Sequence, residues 1–314
     1  MAAERCGAGA PEVSNDERLG FLEAVTIDGN ALEGAPEVLR NDKEVVLTAV
    51  RSHWGALRFA SGELREDTDV VLAAVSQDGL ALKYAGGQRC SDPDVALVAV
   101  QRHWLALQYA TGYALSVRAV VMAAVRQHWG ALRFASFQLR GDRSILLEAV
   151  SQDGAALGLA LPSPCADAAV VLAAVTTHGA ALEYADASCR AKRHIVLQAV
   201  ATCGQALRHA SESLRADRRV VAASVAQSWR ALEFASEQCR ADRDIAFAAL
   251  SQDWAALGFV SQVLRSDRAF LLDALRRARP GTSMDDLPAD FADDREVLEA
   301  AVRVDADALR HASA

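Results

Sequence analysis

An all-α, right-handed solenoid of about twelve tandem 25-residue helical hairpins is the fold this sequence predicts. Three observations predict it: a valine that returns every 25 residues, a leucine seven positions after each valine, and, in most repeats, an aspartate eight positions before it. The anchors are Val25, Val50, Val75, Val100, Val125, Val150, Val175, Val200, Val225 and Leu250. The leucines begin at Leu32, Leu57 and Leu82 and run in step to Leu257, and an alanine follows each by three, as at Ala35 and Ala60, until Val260 takes the place. Leu275 and Val302 extend the register, the last step being two residues longer, and Leu309 and Ala312 follow Val302 at the same offsets. Self-similarity at this period marks a stacked supersecondary unit.

Each repeat reads as two short helices. The first is typified by Lys43–Ser52, where Val46, Ala49 and Val50 fall at i, i+3 and i+4 on one helical face. Asp42 precedes it, and Asp67, Asp92, Asp142, Asp167, Asp217, Asp242, Asp267 and Asp294 hold the same place, where a carboxylate accepts from the free amides of the first turn. The second helix is expected over 55–65, with Leu57, Ala60 and Leu64 as its apolar set, after a turn such as Asp78-Gly79 or His53-Trp54. The fixed small alanine is expected to let neighbouring helices approach closely. Helices of about 10 residues are marginal alone in water, so the repeats must stack to bury a continuous core.

The same register gives the domain organisation: an N-terminal tail, 1–15, and a single repeat domain, 16–314. Two stretches break the pattern, near 161–168 with Pro162 and Pro164, and near 278–294 with Pro280 and Pro288. Proline ends or bends a helix, so a kink is expected at the first and a loop before a terminal capping repeat at the second. The sequences AVRSHWGALRFAS at 49–61 and AVRQHWGALRFAS at 124–136 lie three repeats apart and indicate duplication of blocks.

Hydrophobic residues make up 52% of the chain and charged residues 24%, the balance of a packed, soluble protein. No apolar run approaches the roughly 20 residues that span a bilayer. Residues 1–11 lack a secretory core, and Glu4 does not suit a basic targeting peptide. The six cysteines, Cys6, Cys90, Cys165, Cys189, Cys203 and Cys239, form no CxxC pair, so a reducing compartment, the cytosol or an organelle interior, is expected.

The phrase LR-x-D-R-x-VV-x-AV-x-Q-x-W/G-x-AL-x-x-AS, read most cleanly at 214–236 and 239–261, resembles domain of unknown function 4116. In the second copy Cys239 stands where the phrase has its leading leucine. The resemblance covers about 16–314 and departs from the pattern at 161–166 and 280–293. It implies helical repeats of roughly 50 residues, two of the repeats counted above. The family resembled is most common in algal, protist and some bacterial proteins and brings no catalytic residue with it.

In a solenoid a repeated position becomes a stripe. His53, His103, His128 and His178 share one turn column with Asp28, Asp78, Asp153, Asp253 and Ser228; Trp54, Trp104, Trp129, Trp229 and Trp254 share the next, where other repeats have glycine. Aromatic edges grip partners, but the structural reading weighs more: the histidine caps the second helix and the indole covers the gap between turns. Arg40, Arg65, Arg140, Arg190, Arg215, Arg240 and Arg265 lie two residues before the aspartate column. They read either as a basic groove for RNA or, with more weight, as Arg–Asp pairs that set the stacking register. Cys189 and Cys239 sit in a leucine column and read as core; Cys203 has no base beside it in sequence. The column after each leucine, with Arg58, Lys83, Gln108, Arg133, Glu183, Arg208 and Glu233, varies in charge, which suits a specific protein surface better than a polyanion.

No phosphate-binding glycine loop, GxSxG or HExxH is present. The chain is therefore expected to be no enzyme, to need no cofactor or metal, and to act as a protein–protein scaffold or adaptor. A special case is a structural or linker subunit of a larger assembly, peripherally associated with a membrane complex. The alternative is a nucleic-acid-binding repeat protein, against which the net charge of −8 argues. The candidate contact residues are His53, Trp54, His103, Trp104, His128, Trp129, Trp229, Trp254, Arg58, Arg133, Glu183 and Glu233.

Overall fold

The structure is a computed structural model that describes residues 13–279, 281–283, 288–291, 294–306 and 308. It divides into two compact units, residues 1–149 and 150–314. Among the described residues every regular element is helical, and each repeat anchor lies on its own long helix. In the N-terminal unit these are Asn15–Ile27, Lys43–Ser52, Thr68–Gln77, Pro93–Arg102 and Arg118–Gln127, followed by Arg143–Gln152, in which the division falls. In the C-terminal unit they are Ala168–Thr177, Arg193–Thr202, Arg218–Gln227, Arg243–Leu250, Arg268–Arg277 and Arg295–Val304. Residues 280, 309 and 312 lie outside the described residues, and so do Met284, Asp285, Asp286 and Cys6.

The expected caps form. Asp42 Oδ1 accepts from the amides of Glu44 at 2.9 Å and Val45 at 3.3 Å, and Asp67, Asp142, Asp167, Asp217, Asp242, Asp267 and Asp294 each accept from two amides in the same way. Asp92 accepts from Asp94 alone, in a helix that carries Pro93 at its first position, where a missing amide costs nothing. Val117 and Lys192 occupy the same column without a side-chain cap, and their helices still form; burial of the apolar face outweighs one cap. That face is wider than the sequence reading, since Val45, Val46, Ala49 and Val50 are all fully buried.

The second half of the repeat differs from the expectation. Instead of one helix over 55–65, a 3₁₀ helix, Trp54–Phe59, ends at Ala60 in extended backbone (φ −62°, ψ 154°). A separate single turn follows. The spacing of Leu57 and Ala60 by three residues suits a 3₁₀ helix as well as an α-helix. The break forms whether Pro36, Gly86, Leu161 or a serine follows the alanine, and in four repeats a serine hydroxyl caps the new turn. Ser61 Oγ accepts from the Leu64 amide at 3.2 Å, and Ser136, Ser236 and Ser261 do the same for their own turns. A hydroxyl that starts a new turn competes with helix continuation. The prolines obey this logic too. Pro162–Cys165 forms the same four-residue turn as other repeats, with Pro162 at its first position, so the expected kink there is replaced by a regular corner.

Close approach between neighbours is visible at the glycines that follow the turn column. A Cβ on Gly79 would stand 2.0 Å from the carbonyl oxygen of Ala99, and one on Gly154 2.1 Å from that of Ala174. Ala60 is buried at the corner that follows the 3₁₀ helix. Neighbouring repeats are also tied by backbone bonds. The Ser61 amide donates to Arg40 O at 2.9 Å and Gly86 to Arg65 O at 2.8 Å; in the C-terminal unit Ser211 donates to Arg190 O at 3.0 Å. Finally, Gln77 Nε2 donates to Val50 O at 2.7 Å, and Thr202 Oγ1 to Val175 O at 3.1 Å, satisfying carbonyls that a helix end leaves free.

Candidate partner-binding edge

The turn column lies where each long helix stops and the 3₁₀ helix starts. His103 Nδ1 accepts the Leu105 amide at 3.1 Å and His128 Nδ1 the Gly130 amide at 2.9 Å, as Asp28, Asp78, Asp153 and Asp253 do with their oxygens. An imidazole that accepts at Nδ1 carries its proton on Nε2 when neutral. His53, His178 and Ser228 make no such cap, so the capping role holds for only part of the column.

The indoles lie against the next repeat. In the N-terminal unit Trp54 stacks on Tyr84 with centroids 6.3 Å apart, and Trp104 on His128 at 4.4 Å and 11°. His103 flanks Trp104 at 6.5 Å, and Trp129 flanks His128 at 5.8 Å, which makes a run of four rings. In the C-terminal unit Trp229 packs on Phe259 at 5.9 Å, with Arg230 over the indole at 4.9 Å. Trp254 is a correction to the candidate set. Its helix ends early, at Leu250, and the indole is 1% exposed, so it is core and cannot touch a partner.

Arg58, Arg133, Glu183 and Glu233 are all exposed. Arg58 lies 4.3 Å over the Phe59 ring. Glu183 shares a shallow cavity of about 130 Å³ with Cys203, Gln205 and Arg208 of the next repeat, so the charged column and the turn column form one surface.

The expected Arg-x-Asp pairs do not form. The aspartates pair with the residue one position after the preceding repeat's own aspartate column. Arg18 reaches Asp42 at 2.6 Å, Lys43 reaches Asp67 at 2.9 Å, Arg193 reaches Asp217 at 3.2 Å and Arg218 reaches Asp242 at 2.6 Å. The hydrogen bond from Arg18 holds Asp42 below the usual carboxylate range, and Arg218 does so for Asp242 and Arg268 for Asp294. Arg40, Arg140, Arg190, Arg215, Arg240 and Arg265 bury Nε without a hydrogen-bond partner. Sequence reasoning missed the pairing column because its members differ in type and follow directly on the caps.

Cys189 and Cys239 are core, as expected, and donate to Ala166 O and Ala216 O. Cys90 and Cys165 stand in the arginine column, and burial pushes both thiols up, away from nucleophile character. Beside Cys165 a cavity of about 380 Å³ opens among Leu157, Gly158, Pro162, Tyr184, Asp186 and Arg190. No group of three His, Cys, Asp or Glu side chains among the described residues has metal-holding geometry, and none of the helices searched is long and apolar enough to cross a membrane.

No curated protein and no solved structure is significantly similar to the chain. The family model described as Domain of unknown function (DUF4116) matches five times, at residues 21–65, 43–88, 67–113, 118–163 and 192–240. The first three matches each span about two repeats and advance by one, as overlapping pairs in a tandem array must. With more than half of the sequence matched and the 25-residue register continuous through it, the chain belongs to the family of domain of unknown function 4116.

Proposed function

We propose that the chain is a non-enzymatic protein–protein interaction scaffold or adaptor, with a structural or linker subunit of a larger assembly as the form this takes. One observation carries the reading: the conspicuous repeated residues are absorbed by the fold, and what stays exposed is a register of non-identical side chains. The aspartates cap and pair, the glycines admit neighbouring carbonyls, and the valines and leucines are core. The exposed column changes residue at every step, from Arg58, Lys83 and Gln108 to Glu183, Arg208 and Glu233. Repeat surfaces that vary this way serve specific recognition.

The raised thiols of Cys90 and Cys165 also support a role without nucleophilic chemistry. The test is affinity capture of the tagged chain from native extract, followed by size-exclusion chromatography. A stoichiometric complex that survives is the expected result. A chain that elutes alone and monodisperse would refute the proposal.

A further inference from the structure

We infer that the C-terminal ends of the long helices in the N-terminal unit form a docking strip for an extended acidic segment of a partner protein. This rests on the scaffold reading above and names its surface. Arg51, Arg58, Lys83, Arg102, Arg126 and Arg133 all lie at helix ends, turns or 3₁₀ helices of this edge; all are exposed, and none forms an ion pair with a described residue. Within 51–134 the same positions hold a single acid, Asp78, whose carboxylate accepts the Leu80 amide.

Cations at helix C-termini can serve the helix dipole alone, but the chain contains its own control. Between residues 150 and 260 the C-terminal unit has the same helix ends and fills them with Ser151, Thr176, Ala201, Ala226 and Ser251, while Asp153, Glu183, Glu233 and Asp253 outnumber Arg208 and Arg230 along the rest of the edge; cations return only at its last two long helices, with Arg276, Arg277 and Arg303. Helix architecture therefore does not require the basic strip. His103 and His128, fixed through Nδ1, add Nε2–H donors to it.

The geometry favours carboxylates over nucleic-acid bases. Bases bind such strips by stacking on free aromatic faces, and here Trp104 is stacked on His128 at 4.4 Å and Trp54 on Tyr84. Stacked repeats lie about 10 Å apart, and an extended peptide rises about 3.3 Å per residue. A carboxylate at every third residue therefore matches the repeat.

The probe is a fluorescein-labelled twelve-residue peptide, (Glu-Gly-Ser)₄, followed by anisotropy against the full chain at low salt. It is expected to bind at least about tenfold tighter than (Gln-Gly-Ser)₄, and R58E/R133E should remove about tenfold of that affinity while R208E changes it by less than about twofold. Equal binding of the glutamine peptide, or indifference to R58E/R133E, would overturn the inference. So would tighter binding of single-stranded U₁₂ RNA, which would reassign the strip to nucleic acid. If R58E/R133E captures the same partner from extract as the parent chain, the strip falls and the scaffold stands. A chain that binds the peptide yet elutes alone from extract loses the scaffold reading instead.

Discussion

The imidazole of His128 lies flat on the indole of Trp104, with centroids 4.4 Å apart and planes 11° from parallel, while its Nδ1 caps the 3₁₀ helix of its own repeat. One side chain thus serves both the local turn and the neighbouring repeat. A double-mutant cycle with Trp104→Ala and His128→Ala, read by urea denaturation, should give a coupling of about 0.5–1.5 kcal/mol. Additive losses would mean that the rings are merely adjacent.

Gly79→Ala should cost about 2 kcal/mol or more, because the added carbon would meet the Ala99 carbonyl oxygen at 2.0 Å and backbone must move. Gly258→Ala meets nothing within 4 Å and should leave stability unchanged or raise it by up to about 1 kcal/mol. Thermal melts of the two variants check the contrast; equal melting points would remove glycine from its role in close approach.

Acid should loosen the stack. Asp42, Asp242 and Asp294 have pKa values lowered in the folded chain by Arg18, Arg218 and Arg268. A depressed carboxylate stabilises the fold above its unfolded value, near 3.9, and that contribution disappears as pH falls through the lower folded value. Stability should therefore be flat above about pH 5 and decline below about pH 4. Arg218→Met should move the Asp242 titration, followed by NMR, back upward. A midpoint that stays in place would assign the depression to the cap amides alone.

Cys165→Arg should stabilise the chain by about 0.5–1 kcal/mol, the scale of one well-packed side chain placed in a void. Arg190 stands close enough to His209, nineteen residues on, to help lower its pKa, though burial contributes most. Tyr184 stands in the same relation to Cys165, and there the cavity of about 380 Å³ opens instead. An arginine would fill it and face Asp186. A lower melting temperature for this variant would show that the space is not the one the arginine column occupies elsewhere.

Thiol reagents offer a simpler check on the core. In a Cys6→Ser background Cys203 should react first, since Cys90, Cys165, Cys189 and Cys239 are buried. Simultaneous reaction of all five would contradict their burial.

The long helices and their caps were legible in the sequence, because a 3.6-residue apolar face and an aspartate before it have one structural meaning. The second half of the repeat was not. Leu57 and Ala60 are three apart, a spacing that two helix types share, and the residue after the alanine varies from Pro36 to Gly86 to Ser61, so no single residue type marks the break. The edge was legible as a set of columns but not in its use. Nothing in the recurrence of tryptophan distinguishes Trp54, half-buried on Tyr84, from Trp254, which is core. The ion pairs escaped because Arg18, Lys43 and Arg193 reach forward by 24 residues, a distance at which sequence proximity gives no hint.

The bond from Gln77 to the Val50 carbonyl, and from Thr202 to that of Val175, gives the array a direction in time. Such helix ends are closed by the repeat that comes after them, and so is the carbonyl of Arg40, which waits for Ser61. On a ribosome a repeat closed in this way would stay unfinished until about 25 more residues had emerged. A stop codon placed directly after such a repeat would leave its helix end open.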